Sequence, residues 1–72
     1  MRKDLGRFIR RLRLRRGMTQ ATLASATVTG ISRTYLSRVE NGRVLPSFLA
    51  LIEIAAVLGI DKITLRIRSS EA

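Results

Sequence analysis

Seventy-two residues, 46% of them hydrophobic and 26% charged, fit one small folded domain, too short to add a ligand-sensing one and too apolar for a disordered chain. The chain has no cysteine and no histidine, which removes disulfides, thiolate metal sites and the commonest general base, so neither an enzyme, a metal site nor a cofactor is expected. Fourteen Lys and Arg against five Asp and Glu give a net charge of +9, carried almost wholly by Arg, which suits a polyanionic partner read through bidentate contacts.

From Leu5 to Arg16 the residues Leu5, Phe8, Ile9 and Leu12 recur at helical spacing, with Asp4 as the expected N-cap and Gly17 as the stop. The other faces of this first helix carry Arg7, Arg10, Arg11, Arg13, Arg15 and Arg16. The start lacks the continuous apolar core of a signal peptide, and no apolar run reaches transmembrane length, so a cytoplasmic address is expected.

Thr19 caps a second helix that runs through Leu23 and Ala24 to about Ala26 or Thr27, where "TVTG" weakens helix propensity and Gly30 accepts a positive φ. Ser32 opens a third helix, "RTYLSRVE", stopped by Asn41 and Gly42. At about 100° per residue, Arg33, Thr34, Ser37 and Arg38 fall on one half of its circumference, and Tyr35, Leu36 and Val39 on the other.

"RVLPS" is a connector, and Pro46 and Ser47 introduce a fourth helix, "FLALIEIAAVLG", that ends at Gly59. It is apolar almost all round, interrupted only by Glu53, and so requires a second covering surface. The expected core is Leu23, Ala24, Ile31, Leu36, Val39, Leu51, Ile52 and Leu58. In the tail, Ile63, Leu65 and Ile67 alternate with polar residues as in a half-buried strand. A lone strand needs a partner, and a second copy of the chain supplies one: residues 63 to 67 are expected to pair or pack across a two-fold axis and cover Leu49 and Ala56.

The strings "TQATLA", "GISRTYLSRVENG" and "PS" resemble the Cro/repressor-type (XRE) helix-turn-helix regulators of phages and bacteria, over roughly Leu5 to Ile60. The resemblance implies an all-α fold, a compact four- to five-helix bundle of the lambda-repressor-like type, with a possible short C-terminal strand. It divides the chain into a DNA-binding domain, 1–60, and a tail, 61–72. One departure stands out. Ala24 and Gly30 are six positions apart, two more than the family's usual spacing, so the turn around Thr27 to Thr29 is lengthened.

By position in the family motif, Arg33, Thr34 and Arg38 correspond to base-reading residues, with Ser32 and Ser37 flanking them as contacts to phosphate or base. Gln20 corresponds to a residue that bonds the DNA backbone, and Asn41 and Arg43 to positions along the phosphates, Asn41 also serving as a helix cap. The exit at Asn41 and Gly42 is expected to turn backbone N–H groups outward toward an anion. Arg13 and Glu40 correspond to an ion pair tying the first helix to the end of the third.

The implied function is a double-stranded DNA-binding transcriptional regulator, a repressor acting as a homodimer on a near-palindromic operator, with no membrane or small-molecule partner. Two other readings stay open: an antitoxin or restriction-modification controller of the same fold, and a basic amphipathic module for anionic membranes or proteins, which "RFIRRLRLRR" read alone allows.

Overall fold

The computed structural model describes residues 1–59, which form four helices: α1 (Arg2–Arg15), α2 (Gln20–Ala26), α3 (Arg33–Glu40) and α4 (Phe48–Leu58). Among the described residues the fold is all-α, and the expected strand of the tail, with Ile63, Leu65 and Ile67, lies outside them.

Three of the helices begin at a hydroxyl that replaces a missing turn of backbone partners. Thr19, Ser32 and Ser47 accept from the N–H groups of Thr22, Tyr35 and Ala50 at 3.0, 2.9 and 3.1 Å. The first helix departs from this pattern: it begins at Arg2, with Met1 in the cap position and no side-chain cap, and Asp4 lies within its first turn. Packing explains the longer helix. The added turn rests on the exit of α3, where a Cβ at Gly42 would fall 2.7 Å from Lys3 Cγ, so tertiary contact overrides the local capping signal.

Gly6 makes the same approach closer still. Any side chain there would collide with the backbone oxygens of Val39 and Glu40, so glycine lets α1 lie directly on the end of α3. The core forms where the four apolar faces meet: Ile9 from α1, Leu23 from α2, Leu36 and Val39 from α3, and Ile54 and Leu58 from α4 are fully buried. Each contributes on the order of 1.5–3 kcal/mol by leaving water. Ala24 and Ala50 let neighbouring helices close on them.

One expectation for the core changes. Ile52 is 47% exposed and belongs to the outer stripe of α4, while Ile31 and Leu51 are half-buried at the edge. A helix that is apolar all round carries no phase to tell one face from another, and here Ala50, Ile54 and Leu58 take the inside.

The two extra residues between α2 and α3 enlarge the turn rather than α2, which ends at Ala26. Thr27 is buried and organises the turn from within, its hydroxyl donating to Ala24 O at 2.7 Å and accepting from Ile31 N at 3.0 Å. Gly30 then takes φ +70°, a conformation that side-chain-bearing residues adopt only with strain, and redirects the chain into α3.

Candidate nucleic-acid interface

The phase of α3 decides what its outer surface offers. With Leu36 and Val39 fixed in the core, Arg33, Thr34 and Arg38 are exposed and Ser37 is half-buried beside them. After Glu40 the chain turns at Gly42, whose φ of +74° carries Arg43 back alongside the helix. Arg33, Thr34, Ser37, Arg38, Asn41 and Arg43 therefore line one open depression of about 300 Å³. Its rim carries three guanidinium groups and no carboxylate.

Ser32 and Gln20 are not among those lining residues. Ser32 is exposed at the helix start, its hydroxyl oxygen engaged by Tyr35 N. Gln20, the first residue of α2, is half-buried and donates from Nε2 to Glu40 Oε1 at 3.1 Å, which leaves its second amide hydrogen and its carbonyl oxygen for another partner. This bond holds the start of α2 against the end of α3.

Glu40 is the centre of that junction. Arg13 Nε donates to Glu40 Oε2 at 2.7 Å and Arg13 Nη2 to Oε1 at 3.0 Å, a bidentate pair buried on both sides, while Arg13 Nη1 reaches Met18 O at 2.8 Å. One carboxylate thus ties α1, α2 and α3 together, and its charge is matched locally instead of opposing the arginines of the outer face.

The exit of α3 corrects one expectation. The N–H groups of Asn41, Gly42 and Arg43 donate to Ser37 O, Val39 O and Arg38 O at 3.0, 3.1 and 2.9 Å, so they are consumed closing the helix and are not turned toward an anion. Only Gly42 of the exit is left-handed; Asn41 sits at φ −87°, and its side chain donates to Ser37 Oγ at 3.4 Å. Any anion at this loop meets side chains, chiefly Arg43.

Two contacts behind the outer face of α3 were not foreseen. Ser47 N donates to the hydroxyl of Tyr35 at 2.9 Å, linking the buried half of α3 to the start of α4. Glu53, which in sequence only interrupts an apolar helix, is buried and accepts from Thr29. A lone acid on an apolar helix facing a turn rich in Thr is the signal that marked it.

Leu49 and Ala56 are exposed on α4 together with Phe48 and Ile52. Spacings of three and four residues set these four side chains on one stripe. No helix among the described residues is long and apolar enough to cross a membrane.

A sequence profile described as a helix-turn-helix domain matches residues 4–66. The chain is 44% identical over 59 residues to the ImmF control region 10 kDa protein of Bacillus phage phi105, an alignment covering 82% of this chain and 63% of that relative. It is 38% identical over 65 residues to an uncharacterized HTH-type transcriptional regulator of Sinorhizobium fredii, covering 90% of this chain and 82% of the relative. The chain therefore spans under two thirds of the length of the phage protein.

Proposed function

The chain belongs to the helix-turn-helix domain family, DNA-binding regulators of transcription and not enzymes, and on that premise we propose that it is a sequence-specific repressor of the XRE type, bound to a near-palindromic operator as a homodimer. α3 enters the major groove. Arg33, Thr34 and Arg38 face base edges, where an Arg fork matches the O6 and N7 acceptors of guanine and a Thr offers both a hydroxyl and a methyl. Ser32, Ser37, Asn41, Arg43 and Gln20 hold the flanking phosphates and fix the register.

The observation that carries this reading is the single depression in which six of these side chains meet, rimmed by three guanidinium groups on the outer half of an amphipathic helix. One module of this size covers too few base pairs for tight specific binding, and a symmetric pair doubles the site. The exposed stripe of Phe48, Leu49, Ile52 and Ala56 on α4 is the surface we assign to the second copy, with Ile63, Leu65 and Ile67 of the tail contributing. Repression follows by occlusion of a promoter, and the name of the phage relative, a control-region protein, favours a regulatory output. The site of action is the cytoplasm of a bacterium, at the nucleoid.

Selection of bound duplexes from a random pool tests the whole reading. The expected product is a motif with two inverted half-sites. A pool that never enriches overturns DNA reading, and a single unpaired motif overturns the dimer.

A further inference from the structure

The cations of α1 do not form one undifferentiated surface. Lys3, Arg7 and Arg10 recur at spacings of four and three residues and so share a face. With Glu40 and Asn41 they line a second depression of about 260 Å³, at the exit of α3. Asn41 also lines the depression of the reading face, so the two surfaces meet at that residue. Arg11 and Arg15 lie about 90° further round α1, at 3.6 residues per turn, and line neither depression.

The junction between the two depressions is closely packed. Gly6 brings α1 against the carbonyls of Val39 and Glu40, and Gly42 packs on Lys3, so the first turns of α1 are held in fixed register with the end of α3. A cationic face locked to a reading helix keeps one position relative to any duplex that helix engages.

Among the described residues, intramolecular demand does not account for these three charges. Glu40 is already doubly bonded by Arg13, the sole ion pair among the described residues. The negative end of α3 amounts to about half a charge, which a single cation satisfies. Like charges three or four residues apart on a helix instead repel, each pair costing a few tenths of a kcal/mol. An external anion relieves that repulsion.

We infer that Lys3, Arg7 and Arg10 form a phosphate-binding site that continues the DNA interface past the exit of α3 and grips the sugar-phosphate backbone flanking the bases read by α3. The inference rests on the proposed DNA-binding function. The ligand is the phosphodiester backbone, recognised by charge and position without regard to sequence.

Two double variants that remove equal charge, Arg7→Gln/Arg10→Gln and Arg11→Gln/Arg15→Gln, provide the test, on a duplex selected by the wild-type protein. Binding is followed by fluorescence anisotropy across a salt series, phosphate contacts are mapped by ethylation interference, and folding is checked by circular dichroism. Each lost phosphate contact lowers the slope of log K against log salt by about 0.9. Arg7→Gln/Arg10→Gln is expected to flatten the slope by nearly two for each protomer bound and to erase interference at phosphates flanking the read bases, and Arg11→Gln/Arg15→Gln to keep that interference pattern with a smaller change of slope. Equal slopes and unchanged flanking interference in both variants overturn this inference while leaving base reading intact. A wild-type protein that selects no duplex overturns both. Should Arg7→Gln/Arg10→Gln unfold, Lys3→Gln alone, at the end of the helix, carries the test by the same interference readout.

Discussion

Glu53 and Thr29 join the lengthened turn to the fourth helix through one carboxylate oxygen: Glu53 Oε1 accepts the Thr29 backbone N–H at 3.1 Å and the Thr29 hydroxyl at 2.9 Å. Glu53 is only 7% exposed, whereas Val28, one residue earlier, is 92% exposed. The two residues that enlarge the turn are thus unequal: one is a solvent-exposed spacer and the other supplies both donors to a buried acid.

Deleting Val28 and Thr29 restores the usual spacing of the family but removes both of those donors. The shortened protein is expected to fold and to select the same operator, with stability lower by about 1–3 kcal/mol, the cost of a buried polar group losing its partners. Adding Glu53→Leu to the deletion should recover part of that loss. Urea denaturation of the three proteins decides it, and a deletion variant as stable as the parent would dismiss the Thr29 contact as incidental.

Arg13 and Glu40 bond through two parallel N–H···O contacts inside the fold. Removing one member strands the other, so Arg13→Ala should cost on the order of 3–5 kcal/mol, a large fraction of the stability of so small a domain. Replacing both by apolar residues of similar size, as in Arg13→Met/Glu40→Leu, should cost clearly less than Arg13→Ala. A double variant no more stable than the single one would mean that the further bonds from Gln20 and to Met18 O, and not the charge pair, hold the junction.

Gly6 sits in the interior of α1, where alanine would ordinarily be preferred by about 1 kcal/mol. Here the sign reverses, because a methyl group would strike backbone oxygens of Val39 and Glu40 that have no rotamer by which to yield. Gly6→Ala is expected to lower the melting temperature and to weaken DNA binding together, by forcing α1 off α3. A variant with a raised melting temperature would show that the helices separate at no cost.

Much of this fold was legible because its signals are local. A hydroxyl before each apolar run announced α2, α3 and α4, and the polar half of α3 followed from the positions of Leu36 and Val39. What stayed hidden depends on partners distant in sequence. Asp4 carried a capping signal, yet the helix starts earlier because Lys3 packs on Gly42; Ile52 had no phase to expose it; and Glu53 read as an interruption until Thr29 stood opposite. The gathering of Asn41 and Arg43 with α3 required the turn at Gly42, whose backbone donors proved to be spent inside the exit.

Arg33 and Arg38 differ from Arg11 in placement alone, since all three are exposed arginines. Arg33→Ala and Arg38→Ala should each cost about 1–3 kcal/mol on the selected operator and relax preference at one base position, whereas Arg11→Ala should weaken all duplexes slightly and alike. Competition binding against random duplex separates these outcomes. Equal losses on cognate and random DNA for the α3 variants would remove base reading from that helix.

The stripe of Phe48, Leu49, Ile52 and Ala56 gives the last prediction, because it is the largest apolar surface that α4 leaves uncovered, with Phe48 79% exposed. A second copy related by a two-fold axis would bury this stripe against its own image or against the apolar alternation Ile63, Leu65 and Ile67, which lies outside the described residues. In either arrangement the stripe sets the distance between two copies of α3, and so the spacing of the half-sites. Two changes distinguish the arrangements. Ile52→Glu places a charge at the middle of the stripe and should give a monomer by sedimentation, with a large loss of operator affinity and an unchanged helical spectrum, since Ile52 contributes little to the core. Truncation after Gly59 should do the same if the tail covers the stripe, and should leave the dimer intact if α4 meets α4. A protein that stays dimeric with Ile52→Glu moves the interface off α4 altogether, to the exposed side of α1 around Leu14.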